Sequence, residues 1–339
     1  MIKKKILNIY DKVPITLHSV YAVPLSIILS DTDYWKWFYQ NFMQIFSTPL
    51  KNSAAKQELL YYGRGLLFEQ VLSIKKLENI REIDHIVSKI INYINNSLYA
   101  FILMDMFFVK EKSVYKKRHE SQNLLFFGYD ITERVFYVKG YNHNYVFDTY
   151  KIKFDELEES FLYFKNNNNV NEIFSISIIQ FVRNENILEF SVNKIRVGLR
   201  NYLNSENEID EFKREGHTIN ELRYFGINAY RDFSNYIEIA INNRYEILYH
   251  DFHLFYEHRK LNLERFKYIN NLYKKNIEID TYYELVIRCN KLRLFYMKNT
   301  FQQGSLYAQI NNKKIMLEIK EEIDKINNEE EKILSKIKF

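Results

Sequence analysis

Apolar positions recur at two periods along the chain, and the change of period predicts where helices give way to strands. Glu69–Asn96 predicts two helices, the second with isoleucines three and four positions apart on one face. A short amphipathic helix is expected over 155–163. Between and after these helices, apolar or alternating runs predict strands at 99–104, 124–127, 135–138, 145–147 and within 173–182.

Helices are also predicted near the N-terminus and over the C-terminal part of the chain. From Ser191 onward the spacing predicts helices, most clearly over 244–274 and 311–339. Residues 18–30 predict a buried helix with Ser19 as N-cap, although Pro24 would remove one of its hydrogen bonds. The strongly aromatic segment 33–46 is expected to pack beneath that helix. The expected fold is α+β: a domain over 1–185 with helices and a small antiparallel sheet, then an all-helical domain over 186–339.

Length, charge and cysteine content limit the classes of function that we expect for this chain. The chain has 339 residues, which predicts two domains, and its net charge of +5 is too small and scattered for a nucleic-acid-binding face. The single cysteine, Cys289, fits a reducing compartment. The N-terminus has no unbroken apolar segment of a signal peptide, and no window is apolar enough to span a membrane. We therefore expect a cytoplasmic protein with no nucleic-acid or membrane partner.

The sequence offers no cofactor motif. It has no Gly-rich phosphate loop or dinucleotide fingerprint. His250, His253 and Glu257 would share one face of a helix, which is compatible with a metal site, but no second Glu-x-x-His motif follows. These residues, with His258, can equally pair with nearby arginine and lysine side chains. We expect neither a metal nor a cofactor.

Four segments together resemble the N-terminal domain of the butirosin-biosynthesis acyltransferase family. They are His18-Ser19, the strand end "LMDMFF" over 103–108, "HESQNLLFFGYD" over 119–130, and "GLRNYLNS" with "LFYEHRKLNLERFKYI" in the second half. The resemblance implies a papain-like fold, related to bacteriocin-processing cysteine peptidases. It also implies transfer of an acyl group from a carrier-protein thioester to a small-molecule amine.

The family's catalytic Cys, His and acid are each replaced in this sequence. The nucleophile position holds Ser19, the histidine position Gln122, and the acid position Gly140. A shift of alignment gives His119 as the base, and Asp130 and Asp148 are nearby substitutes for the acid, although neither is in the expected register. Ser19, His119 and Asp130 form the candidate triad. Each also has a structural explanation: a helix cap, a solvated loop histidine and a turn residue. The remaining candidates for lining the site are His18, Asp105, Gln122 and Tyr129.

Two functions from different classes follow from the resemblance. One is an acyltransferase that forms an amide, with Ser19 as nucleophile. The other is a catalytically inactive relative that binds an acyl or peptidyl carrier protein, or a biosynthetic partner enzyme, through the basic segment Lys110–Arg118. If the triad works, the Ser19 hydroxyl must reach a ring nitrogen of His119. The spacing to Gly128 favours Gln122 facing Ser19 instead.

Overall fold

The computed structural model describes residues 2–50, 55–61, 64–77, 83–167, 176–206, 224–273, 277, 279–301 and 313–337. The strands are β1 Lys4–Ile6, β2 Ile45–Pro49, β3 Gln57–Tyr61, β4 Leu72–Leu77, β5 Tyr99–Asp105, β6 Ser121–Asp130, β7 Val135–Tyr141, β8 Phe147–Lys153, β9 Ile176–Phe181 and β10 Tyr224–Phe225. The helices are α1 Ser19–Ile28, α2 Tyr34–Tyr39, α3 Arg64–Glu69, α4 Ile86–Asn95, α5 Phe154–Asn166, α6 Val192–Asn204, α7 Gly226–Asn243, α8 Tyr249–Tyr273, α9 Asp280–Phe301 and α10 Lys313–Leu334. The expected α+β class is confirmed.

Two compact units divide the chain. The first contains Met1–Tyr34 and Arg64–Ile187, and the second contains Trp35–Gly63 and Leu188–Phe339. The late boundary lies close to the expected one at 185. The segment Trp35–Gly63, however, groups with the C-terminal residues although it lies early in the sequence.

The first unit is built on a seven-stranded sheet. Its strand order is β4-β9-β5-β6-β7-β8, with β1 paired to β6, and every pairing is antiparallel. The centre of the sheet is covered on both faces, since the β6 neighbours Leu124 and Leu125, which point to opposite faces, have no exposed surface. Burial of such aliphatic and aromatic side chains is the main stabilising term for this unit.

Alternation along β7 shows which helix covers which face of this sheet. Phe136 packs on Phe154, the first residue of α5, with ring centroids 4.7 Å apart. Lys139, three residues later, donates to the Tyr10 carbonyl, and the Tyr10 amide in turn donates to the Ser26 carbonyl of α1. Residues an odd number of positions apart on a strand point to opposite faces. Helices α5 and α1 therefore lie on opposite faces of the sheet.

Two local expectations are corrected by the structure. Residues 72–77 form the edge strand β4, not a helix, because they pair along their whole length with β9, and such tertiary pairing overrides local preference. The aromatic segment 33–46 contains helix α2, which ends at Tyr39, and the first residues of β2. Ser19 is the first helical residue, and the N-cap is His18, which makes no side-chain cap. Pro24 is accommodated inside α1.

The second unit combines helices with a small sheet. Strand β2 lies between β3 and β10, and both pairings are antiparallel. Because β10 lies at Tyr224–Phe225, the C-terminal part of the chain is not all-helical, contrary to expectation. The sheet is tied to α8 by the Leu59 amide, which donates to the buried Asp251 carboxylate at 2.7 Å.

The helices of the second unit surround a buried ion pair. Arg259 on α8 and Glu330 on α10 have no exposed surface, and Nη2 lies 2.6 Å from Oε2. The Tyr202 and Tyr282 hydroxyls donate to the same carboxylate at 2.9 and 2.6 Å. Buried charges are tolerated when paired and fully hydrogen-bonded, and this carboxylate meets that requirement.

Candidate functional site

Asp105 is held in one orientation at the end of β5. Its side chain is 2% exposed, and its Oδ1 accepts from the amides of Phe107 and Glu120. Its own amide donates to the hydroxyl of Ser160 on α5, at 2.8 Å. The Phe107 contact caps the 3₁₀ turn Met106–Phe108, so the local fold alone accounts for one of the carboxylate's two oxygens. The other oxygen is directed at His119.

His119 is positioned by a carboxylate and by two aromatic rings. Its Nδ1 lies 2.5 Å from Asp105 Oδ2. The imidazole is stacked between Phe107, at 4.3 Å and 16°, and Tyr163 of α5, at 4.4 Å and 9°. The side chain remains 47% exposed. The ring is thus fixed in its plane while one edge stays open to solvent.

This arrangement selects a tautomer. A carboxylate accepts hydrogen bonds, so Nδ1 carries the hydrogen in the contact with Asp105. The lone pair of the neutral ring is then on Nε2, the nitrogen distant from Asp105. A histidine with Nδ1 bonded to a carboxylate and Nε2 accessible can accept a proton from a bound group.

A shallow depression of about 510 Å³ lies beside the stacked ring. Its lining side chains come from α5, the C-cap residue that follows it, and the 3₁₀ turn: Phe108, Glu159, Leu162, Tyr163, Asn166 and Asn167. Tyr163 belongs both to this lining and to the stack around His119. The depression therefore offers apolar contact, and one carboxylate, next to the Asp105–His119 pair.

Ser19 is not brought to His119. His119 stacks on Tyr163 of α5, whereas Ser19 opens α1, which covers the opposite face of the sheet. The residues leading into α1 remain on that face, since the Tyr141 hydroxyl donates to the Thr16 carbonyl at 2.7 Å. No hydrogen bond joins Ser19 to His119 in the parts of the chain that the structure covers. The two proposed partners are thus separated by the sheet.

Asp130 lies at the far end of the strand that follows His119. Strand β6 runs from Ser121 to Asp130, which corresponds to about 30 Å at ~3.3 Å per residue. The Asp130 carboxylate accepts from the Thr132 and Glu133 amides, and Lys4 lies 3.4 Å from it. The backbone bonds and Lys4 lower its pKa. Asp130 is therefore a turn residue here, and Asp105 is the carboxylate that orients His119.

The remaining predicted residues are placed apart from this pair. Gln122 accepts from Lys112 Nζ at 2.6 Å, and that amine lies over the ring of Tyr150, which pairs with Val138 on the α5 face of the sheet. Gln122 consequently does not face Ser19. Tyr129 donates to Asn95 Oδ1 at 2.6 Å, at the end of α4. His18 is half-buried at the start of α1, where its ring lies 6.4 Å from that of Tyr21.

The histidines of α8 take part in separate contacts. His258 is fully buried, between the Met43 carbonyl at 2.9 Å and the Tyr230 hydroxyl at 3.0 Å. Burial lowers its pKa to about 3, so the ring is neutral. His253 instead bonds Glu257 at 3.1 Å. Histidines five positions apart on this helix thus belong to different hydrogen-bond networks.

The basic side chains of the Lys110–Arg118 segment are less available to bind an acidic partner than the sequence suggests. Lys112 is buried, Lys116 pairs with Glu159 at 3.2 Å, and Arg118 pairs with Glu120 at 2.5 Å.

The aromatic stack around His119 was not predicted from the sequence, because Tyr163 is 44 positions away from His119. Asp105 at a strand end and His119 ahead of the next strand were identified from the sequence, but their contact was not.

Comparison with known proteins adds no relative. No protein-family model matches this chain, and a search of curated proteins gives no match either. The helices that the structure describes are all too short or too polar to cross a bilayer.

Proposed function

We propose that the first unit is a papain-like acyltransferase-type domain that transfers an acyl group from a carrier-protein thioester to an amine without a covalent enzyme intermediate. The observation that carries the proposal is the Asp105–His119 pair, with Nδ1 bonded at 2.5 Å and the ring edge exposed. The antiparallel sheet, with a helix starting at Ser19 on one face, is compatible with the papain-like ancestry. A cytoplasmic site of action belongs to the same proposal.

In this mechanism His119 is a general base. The amine attacks the thioester carbonyl carbon while Nε2 accepts the amine's proton. The carbon–sulfur bond then breaks, and the thiolate takes the proton from the imidazolium, leaving an amide and a free thiol. Asp105 holds the ring and stabilises its positive charge. Ser19 has no role in these steps.

The experiment is thiol release from acyl-pantetheine thioesters in the presence of a panel of primary amines. We expect His119→Ala to lose about 10²- to 10⁴-fold in rate, the usual contribution of a general base. Asp105→Asn should also lose activity, because an amide can donate to Nδ1 and force the hydrogen onto Nε2. Ser19→Ala and the exposed-histidine control His143→Ala should match the wild type. Turnover that survives His119→Ala would refute the mechanism.

A catalytically inactive binding protein is the second candidate. It is favoured by the separation of Ser19 from His119 on opposite faces of the sheet. Here a purified carrier protein should bind without any loss of its thioester. Binding should weaken with salt, and it should weaken further when the exposed Lys110 and Lys117 are reversed to glutamate. Absence of binding together with measurable turnover would exclude this candidate.

A further inference from the structure

The depression beside His119 is lined mainly by hydrocarbon. Leu162 is 50% exposed, and the half-buried rings of Phe108 and Tyr163 complete the apolar part of the lining. Both rings also border the candidate base, because their centroids lie 6.2 and 4.4 Å from that of the His119 imidazole. An exposed leucine is ordinary by itself, but this one adjoins the site where the proposed reaction takes place. A molecule bound at His119 can therefore extend over an apolar surface.

The charges around the depression disfavour a second cation. Of the described residues that line it, Glu159 alone carries a charge. The Glu159 carboxylate lies 3.2 Å from the amine of Lys116, which neutralises it. The same amine lies 4.8 Å from the centroid of the Phe108 ring, so a positive charge stands beside the lining. A cationic group placed in the depression would be repelled by Lys116, whereas a hydrocarbon group would not.

We propose that the depression binds the hydrocarbon part of the acceptor, and that the acceptor is a primary amine on an alkyl or arylalkyl chain with no second positive charge. The inference rests on the proposed acyl transfer and names its substrate. The ammonium form of the amine releases one proton to solvent on binding, because an apolar surface favours the neutral form. The nitrogen then attacks the thioester carbonyl carbon, and Nε2 of His119 takes the proton that the nitrogen loses.

The length of the amine gives the first measurement. Complete burial of one methylene strengthens binding about fourfold, and an open depression that covers one side of a chain should give about twofold. We therefore expect kcat/KM for thiol release from acetyl-pantetheine to rise about twofold per methylene from propylamine to hexylamine. Leu162→Asn should flatten this dependence. Leu272→Asn is the control, since that leucine is 48% exposed but belongs to the second unit.

A comparison of hexylamine with 1,6-diaminohexane tests the effect of Lys116. The wild type should prefer hexylamine, after correction for the two amino groups of the diamine. Lys116→Met should reduce this preference about three- to fivefold, because Glu159 can then pair with the second ammonium. Lys151→Met is the matched control, since Lys151 pairs with Glu133 at 2.5 Å and lies 5.4 Å from the Tyr137 ring. A wild type that uses the diamine equally well or better would overturn the inference and leave acyl transfer standing.

Ligand-observed NMR of the same two amines without thioester separates this inference from the proposed function. The wild-type protein should broaden the signals of hexylamine more than those of 1,6-diaminohexane, and Leu162→Asn should remove the difference. This pattern without turnover of any amine would refute the acyl transfer and support the depression as a site for apolar amines. Equal broadening of the two amines, or no broadening of either, would overturn the inference whatever the turnover.

Discussion

Replacing Glu330 by glutamine tests whether the ion pair at the centre of the second unit behaves as a buried pair should. Glutamine keeps the shape of the side chain but removes the charge that balances Arg259, with both residues at 0% exposure. Its amide group would also face one of three donors, namely Arg259 and the Tyr202 and Tyr282 hydroxyls. Breaking a buried pair on one side costs about 3–5 kcal/mol, because it leaves an uncompensated charge.

Urea unfolding followed by tryptophan fluorescence measures this cost in the second unit alone. Both tryptophans of the chain, Trp35 and Trp37, belong to that unit. With a slope of about 2 kcal/mol per molar urea, the midpoint of the Glu330→Gln variant should fall by about 1.5–2.5 M. Glu329→Gln is the matched control, since its partner Arg288 is 31% exposed and such pairs contribute about 0–1 kcal/mol.

The double variant Arg259→Met with Glu330→Gln completes the design. Removing the arginine eliminates the buried charge, so the double variant should be more stable than Glu330→Gln alone. A loss below about 1 kcal/mol in the single variant, or an additive loss in the double variant, would show that the pair is not desolvated as described.

Two further predictions concern the same unit. The folded pKa of His258 lies near 3, below its ordinary value of about 6.5. The unfolded chain therefore binds one more proton than the folded protein at acidic pH. The free energy of unfolding should fall by about 1.4 kcal/mol per pH unit as the pH drops from about 6.5 toward 3. The same measurement on a His258→Gln variant should lack this slope. Gly226 has a φ of +54°, and an added Cβ would lie 2.1 Å from the Tyr202 carbonyl oxygen. Gly226→Ala should thus lower the unfolding midpoint strongly. Gly198→Ala should not, because there the contact is the flexible end of Met43.

Much of the fold could be predicted from the sequence because local pattern and tertiary role agree. The strand run at 99–104 and the helix at 155–163 appear as β5 and α5 with small shifts at their ends. The predictions fail where pairing with a segment far away in the sequence determines the local secondary structure. Strand β4 exists because β9 pairs with it, and β9 lies about a hundred positions later, beyond the reach of any local pattern.

The candidate site was predictable in its parts but not in its assembly. Asp105 and His119 were both identified, yet Asp130 was expected to orient the histidine. Strand length rules that out, because β6 carries Asp130 far from the loop that holds His119. Ser19 was placed with His119 by resemblance alone. Only the alternation of side chains along β7 shows that their helices cover opposite faces of the sheet.

Because the second unit is formed by two separate segments of the chain, its folding is delayed during synthesis on the ribosome. The first unit has all its residues once Ile187 has emerged, whereas Trp35–Gly63 must wait for partners translated later. Those partners include Asp251, which binds the Leu59 amide, and Arg265, which binds the Tyr39 and Asn41 carbonyls. Arg265 is translated about 200 residues after Gly63, so at about 5–20 residues per second the wait lasts roughly 10–40 s. During that time the apolar strands β2 and β3 are open to misassociation or to binding by chaperones. A C-terminal fragment that begins near residue 186 would lack the Trp35–Gly63 part of the second unit permanently.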